Sequence, residues 1–172
     1  MADDAPLQAV VAAFNTPDGA SNALRELKGV GKDVLAVREA AVLVRNQDGK
    51  LEIKESHHVT KGAVVGGVVG AVVGLIAGPV GWVTAGGAAV GVLANRLRDT
   101  GFPDRRLKQI GEALTPGTSA LVAIVEHRWV VDVERRLRAA ATDVATEELA
   151  ADVAAQLEEQ SAGGSSVGQR TG

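Results

Sequence analysis

From Gly62 to Ala94 the chain runs for 33 residues without a single charged side chain, bounded by Lys61 before and by Arg96 and Arg98 after. A stretch of this length exceeds the roughly 18–20 apolar residues that mark a membrane-spanning candidate. Ten of the 33 residues are glycine, however, and Gly78-Pro79-Val80-Gly81 stands in the middle. Two glycines and a proline favour a turn over a continuous helix. The segment therefore reads as a helical hairpin with arms over 62–77 and 82–98.

The first arm carries glycine at a strict four-residue spacing: Gly62, Gly66, Gly70, Gly74 and Gly78. Positions four apart share a helix face, so the row forms a shallow groove into which another helix backbone can settle. Gly87 and Gly91 offer a shorter groove on the second arm. Each interior glycine costs a helix about 1 kcal/mol relative to Ala, so close packing or a bilayer has to compensate. At about 1.5 Å per residue an arm of this length falls short of the ~30 Å hydrocarbon core. The alternative is a Gly/Val-rich insertion packed within its own domain.

Around the hairpin the pattern is that of a folded domain. Leu7 to Phe14 is an apolar run of strand length, and Thr16-Pro17-Asp18-Gly19 reads as a helix start with Thr16 as N-cap. Strands over 37–45 and 51–56 meet across Asn46-Gln47-Asp48-Gly49-Lys50, where Asp-Gly within a polar loop signals a hairpin. A helix from Pro103 and a strand over 120–125 follow. The order strand, helix, strand, strand, insertion, helix, strand predicts an α+β fold, a ferredoxin-like split β-α-β sandwich with the hairpin inserted after the third strand. Two C-terminal helices are expected, over 129–141 and, capped by Thr146, over 147–160, with Asp143-Val144-Ala145 between them as a short edge strand. The domain then comprises 1–59 and 100–127, the hairpin 60–99, the C-terminal helices 128–160 and a disordered Gly/Ser-rich tail 161–172.

Composition narrows the chemistry. Lys and Arg number 18 against 21 Asp and Glu, a formal charge of −3, so no global basic field drives nucleic-acid binding. Two Trp, two Phe and no Tyr leave few stacking platforms for bases, and the absence of Cys excludes disulfides, thiolate metal sites and a cysteine nucleophile. The N-terminus is acidic where a secretory leader is basic, so no cleaved leader is expected. No Ser-His-Asp arrangement, GxGxxG or P-loop is present, so neither an enzymatic activity, a cofactor nor a small-molecule substrate is expected. His57, His58 and His127 are the weak metal candidates, because strands three and four of the expected sheet end on the same edge. Lys61, Arg96, Arg98, Arg105 and Arg106 place positive charge at both ends of the hairpin, which orients an inserted hairpin with its domain in the cytoplasm.

The segments AAFNTPDGASNAL, the stretch from AAVLVRNQDGKLEIKESHHVTKGAVV through the glycine hairpin to NRLRDTGF, and IGEALTPGTSALVAIV resemble the bacterial domain of unknown function 1269 family, over about residues 10–157. The resemblance implies a small membrane-associated protein with a ferredoxin-like domain and an apolar hairpin, and no established activity. Two readings follow. One is a homo-oligomer assembled by its glycine hairpins at the cell membrane, with the domain facing the cytoplasm; the other is a cytoplasmic filament, ring or shell whose hairpins bury one another without lipid.

Overall fold

The computed structural model describes residues 6–30, 37–57, 67–77, 105–149 and Ala155. Five strands, β1 (Leu7–Phe14), β2 (Val37–Arg45), β3 (Leu51–His57), β4 (Ser119–Glu126) and β5 (Asp143–Leu149), form one antiparallel sheet in the order β3-β2-β4-β1-β5. Four α-helices accompany them among the described residues: α1 (Gly19–Gly29), α2 (Gly67–Ala77), α3 (Arg105–Ala113) and α4 (Val130–Arg138), the last entered through a 3-10 turn at His127–Trp129.

Strand alternation sorts the core into two clusters. Val10, Ala12, Phe14, Val42, Leu121, Ala123 and Val125 point to the face covered by Leu24 and Leu27 of α1 and by Val133 and Leu137 of α4. Ala9, Val11, Leu43, Val122 and Ile124 point the other way, against α2 and against Leu107 and Ile110 of α3. The fold is therefore three layers, helices on both sides of the sheet. This explains why β1 and β4 are continuous apolar runs, since a strand covered on both faces has no wet side to mark with polar residues.

Two expectations change. The fourth strand, β4, lies between β1 and β2, whereas a ferredoxin-like frame built from the first four strands of the chain would put the third one there. Residues 143–149 form a full strand paired along β1 from Ala13 to Leu7, so the helix expected from Glu147 does not start there. Thr146 followed by two glutamates resembles a capped helix start locally, but the ladder to β1 and burial of Ala145 and Leu149 outweigh that propensity. The rest of that predicted helix, apart from Ala155, and the tail lie outside the described residues.

The turns follow the sequence. At the β2–β3 connection Asn46 Oδ1 accepts the N–H groups of Asp48 and Lys50 at 3.2 and 3.1 Å, and Gly49 adopts φ +80°, a left-handed position that glycine takes without strain. The start of α1 departs from expectation. Its helical residues begin at Gly19, and the cap is supplied from β4: Ser119 Oγ accepts the Ala20 N–H at 3.1 Å and donates to the Thr16 carbonyl at 2.7 Å.

Candidate functional site

The uncharged segment is the leading sequence candidate for membrane contact and self-association, and α2 is its described part. Gly70 and Gly74 lie in this helix; Gly62, Gly66, Gly78, Gly87 and Gly91 fall outside the described residues, as do Lys61, Arg96 and Arg98. Val68, Val69, Ala71, Val72, Val73, Leu75 and Ile76 are all buried, at most 4% exposed. A helix apolar around its whole circumference is a core helix or a membrane helix, and here its neighbours are the sheet and α3. Removing it into lipid would uncover Val11, Leu43, Val122 and Ile124. At about 1.5–3 kcal/mol for each large side chain, that exposure exceeds what a marginal inserter recovers. Among the described residues no helix is long and apolar enough to cross a membrane.

Two residues anchor α2 and its neighbour. Glu39, buried on β2, accepts the Val69 N–H at 3.0 Å, a carboxylate set in the first turn where the helix dipole favours negative charge. On α3, Gly111 meets the end of α2 so closely that a Cβ there would lie 2.1 Å from the Ile76 carbonyl oxygen. The close backbone approach that glycine permits is thus realised between α2 and α3 of the same chain. Gly111 stands on the apolar stripe of its helix, but nothing in its spacing marks it as the residue on which that approach depends.

Basic residues follow the uncharged segment on the exposed side of α3. Leu107, Ile110 and Gly111 face the core, leaving Arg105, Arg106 and Lys108 outward. Arg106 is paired to Asp143 of β5 at 2.6 Å. The outer face of this helix therefore carries positive charge ten residues beyond the uncharged run.

Strands β3 and β4 bring His57 and His127 toward one end of the sheet. β3 and β4 run in the same direction, with β2 between them, and both finish at that end. His57 pairs with Ala40, which pairs with Ala123, so His127 lies four residues further along, about 13 Å at ~3.3 Å per residue. His127 is held by Gln8, whose Nε2 donates to His127 Nδ1 at 2.5 Å. His58 falls outside the described residues, and no group of three or more metal-ligating side chains occurs among them.

Beside His127, the buried carboxylate of Glu126 is bracketed by two arginines. Arg38 Nε and Nη2 donate to its Oε1 at 3.2 and 3.0 Å, and Arg128 Nε donates to Oε2 at 2.8 Å. The Arg128 guanidinium also lies 5.4 Å from the Trp129 ring centre, within cation–π range. Every oxygen of the carboxylate is used, which makes this a structural clamp at the sheet end.

A different site emerges on the opposite face and at the opposite end of β1. Between α1 and α4 lies a cleft of about 310 Å³ floored by Phe14, Ala23, Leu27 and Leu137, with Asn15, Thr16, Asn22, Glu26 and Arg136 around it. Its polar residues come from the β1–α1 loop and from two helices distant in sequence, so no linear motif announces it.

Comparison with known proteins adds a family and nothing more specific. The sequence model described as "Protein of unknown function (DUF1269)" matches residues 63–162, from the uncharged segment through β5 and more than half of the chain. No curated protein and no solved structure matches.

Proposed function

This chain belongs to the DUF1269 family, whose description assigns no activity, and from that premise we propose a non-enzymatic protein that self-associates at a membrane surface. The observation that carries the reading is the burial of α2 in its own domain. It leaves residues 62–66 and 78–95 as the uncharged remainder, the second part 18 residues long and interrupted by Pro79 and by glycines at 78, 81, 86, 87 and 91. That length and composition suit a segment lying in the bilayer interface better than one spanning it. Trp82 fits the interfacial preference of its amphipathic ring. Arg96, Arg98 and Arg105 then supply positive charge for anionic headgroups, at about 1 kcal/mol per residue near the surface. The same charge favours the cytoplasmic leaflet, and Gly87 and Gly91 give neighbouring copies room to meet closely.

The ferredoxin-like reading is kept with the strands reassigned. Setting β3, α2 and α3 aside as an insertion leaves β1-α1-β2 and β4-α4-β5, interlocked as β2-β4-β1-β5 with both helices on one face. The insertion then covers the face that a two-layer ferredoxin-like sandwich leaves open. Without lipid, complete burial of α2 also supports the second reading, a cytoplasmic assembly.

Vesicle flotation tests both. The protein is expected to float with phosphatidylglycerol-containing vesicles, to be released by high salt, and to stay behind with purely phosphatidylcholine vesicles. Failure to float with anionic vesicles overturns the membrane reading, and light scattering then decides the second: a defined oligomer supports assembly without lipid, a monomer refutes it.

A further inference from the structure

We infer that the cleft between α1 and α4 is a binding site for a free α-amino acid. Two charges line it from different helices: Glu26 from α1 and Arg136 from α4. They make no ion pair with each other and, among the described residues, neither has another partner. Their neighbours are engaged: Arg25 donates to Asn22, Arg135 pairs with Asp132 at 3.1 Å and Arg138 with Glu134 at 3.5 Å. Opposite charges left apart around one cavity suit a ligand that carries both. A guanidinium is the natural partner of a carboxylate, and the Glu26 carboxylate of an ammonium.

The remaining chemistry is consistent. Asn15 lines the cleft with its amide uncommitted, and Asn22, whose Oδ1 is taken by Arg25, retains its amide donors. Phe14, Ala23, Leu27 and Leu137 form an apolar floor able to receive a side chain. The volume, about 310 Å³, lies at the small end of ligand sites, which suits a single amino acid. The site lies on the face opposite α2 and α3 and is independent of any membrane contact.

The test uses the full chain. Each of the common L-amino acids is screened by thermal shift, and those that raise Tm are titrated by calorimetry. At least one is expected to bind saturably, with Arg136→Gln and Glu26→Gln each weakening binding about tenfold or more. The N-acetyl and the carboxamide derivatives of the same amino acid are expected to bind as poorly. Glu112→Gln, exposed on α3 on the other side of the sheet, should leave the affinity unchanged, and unliganded melting of each variant confirms that it folds. Absence of binding by every amino acid, undiminished affinity in either cleft variant, or an N-acetyl derivative binding as tightly as its parent would overturn the inference.

Discussion

Replacing Gly111 by alanine isolates the contact that fixes the insertion to the domain. In an exposed helix the substitution gains about 1 kcal/mol of propensity. Here the added Cβ lies 2.1 Å from the Ile76 carbonyl oxygen and 3.1 Å from Ile76 Cγ2. The first of these is backbone, so no rotamer change relieves it and α3 has to withdraw from α2 by about 1 Å to restore contact distance. A gap of that size forfeits a quarter to a half of the dispersion made by Leu107, Ile110 and Leu114, roughly 1.5–3 kcal/mol if each is worth about 2 kcal/mol. The Arg45 Nη2 bond to the Gly111 carbonyl, already 3.3 Å long, is lost with it, another ~1 kcal/mol. The net expectation is destabilisation by about 2 kcal/mol, read as a lower urea midpoint at unchanged m-value. Gly29→Ala is the control: nothing lies within 4 Å of a Cβ at the end of α1, so its stability should be equal or higher. A Gly111→Ala protein as stable as the parent would refute the packing of α3 on α2.

Three further outcomes follow from named contacts. Ser119→Ala removes the oxygen that accepts the Ala20 N–H and donates to Thr16, and should cost about 1–2 kcal/mol in the same denaturation assay. Glu126→Gln leaves Arg38 and Arg128 around a neutral amide at a buried position, with an expected loss of about 2–3 kcal/mol. Burial raises the pKa of Glu147 above the ordinary carboxylate value. The folded state then holds the proton more tightly than the unfolded one, so this group favours folding below its ordinary pKa and loses that contribution as pH rises through the raised value. Glu147→Gln should therefore be slightly more stable than the parent at neutral pH, and its melting temperature should depend less on pH just above the ordinary carboxylate range.

Most of the sheet was legible because its signals are local. The apolar runs at 7–14 and 37–45 and the Asn46–Lys50 turn depend on side chains adjacent in sequence. The uncharged segment was harder to read because a helix apolar on every side suits lipid and protein core equally. The discriminating fact, that β1 and β4 need cover on both faces, lies far from α2 in the chain. Strand β5 was legible only in part, since Thr146-Glu147-Glu148 has the local grammar of a helix start and acquires strand structure from β1. The α1–α4 cleft was not legible, because Arg136 and Glu26 come together only after β4 and α4 are placed.

The position of β1 also has a consequence during synthesis. Among the described strands it is the first to leave the ribosome, yet both of its partners, β4 and β5, come from residues 119–126 and 143–149. The bond between Ser119 and Thr16 closes a separation of 103 residues. At about 5–20 residues per second, the nascent chain carries an unpaired Leu7–Phe14 run for roughly 5–20 s. The earliest of the described strands thus waits longest for shelter, a window in which holdase chaperones or rapid translation would raise the yield of correctly closed sheet.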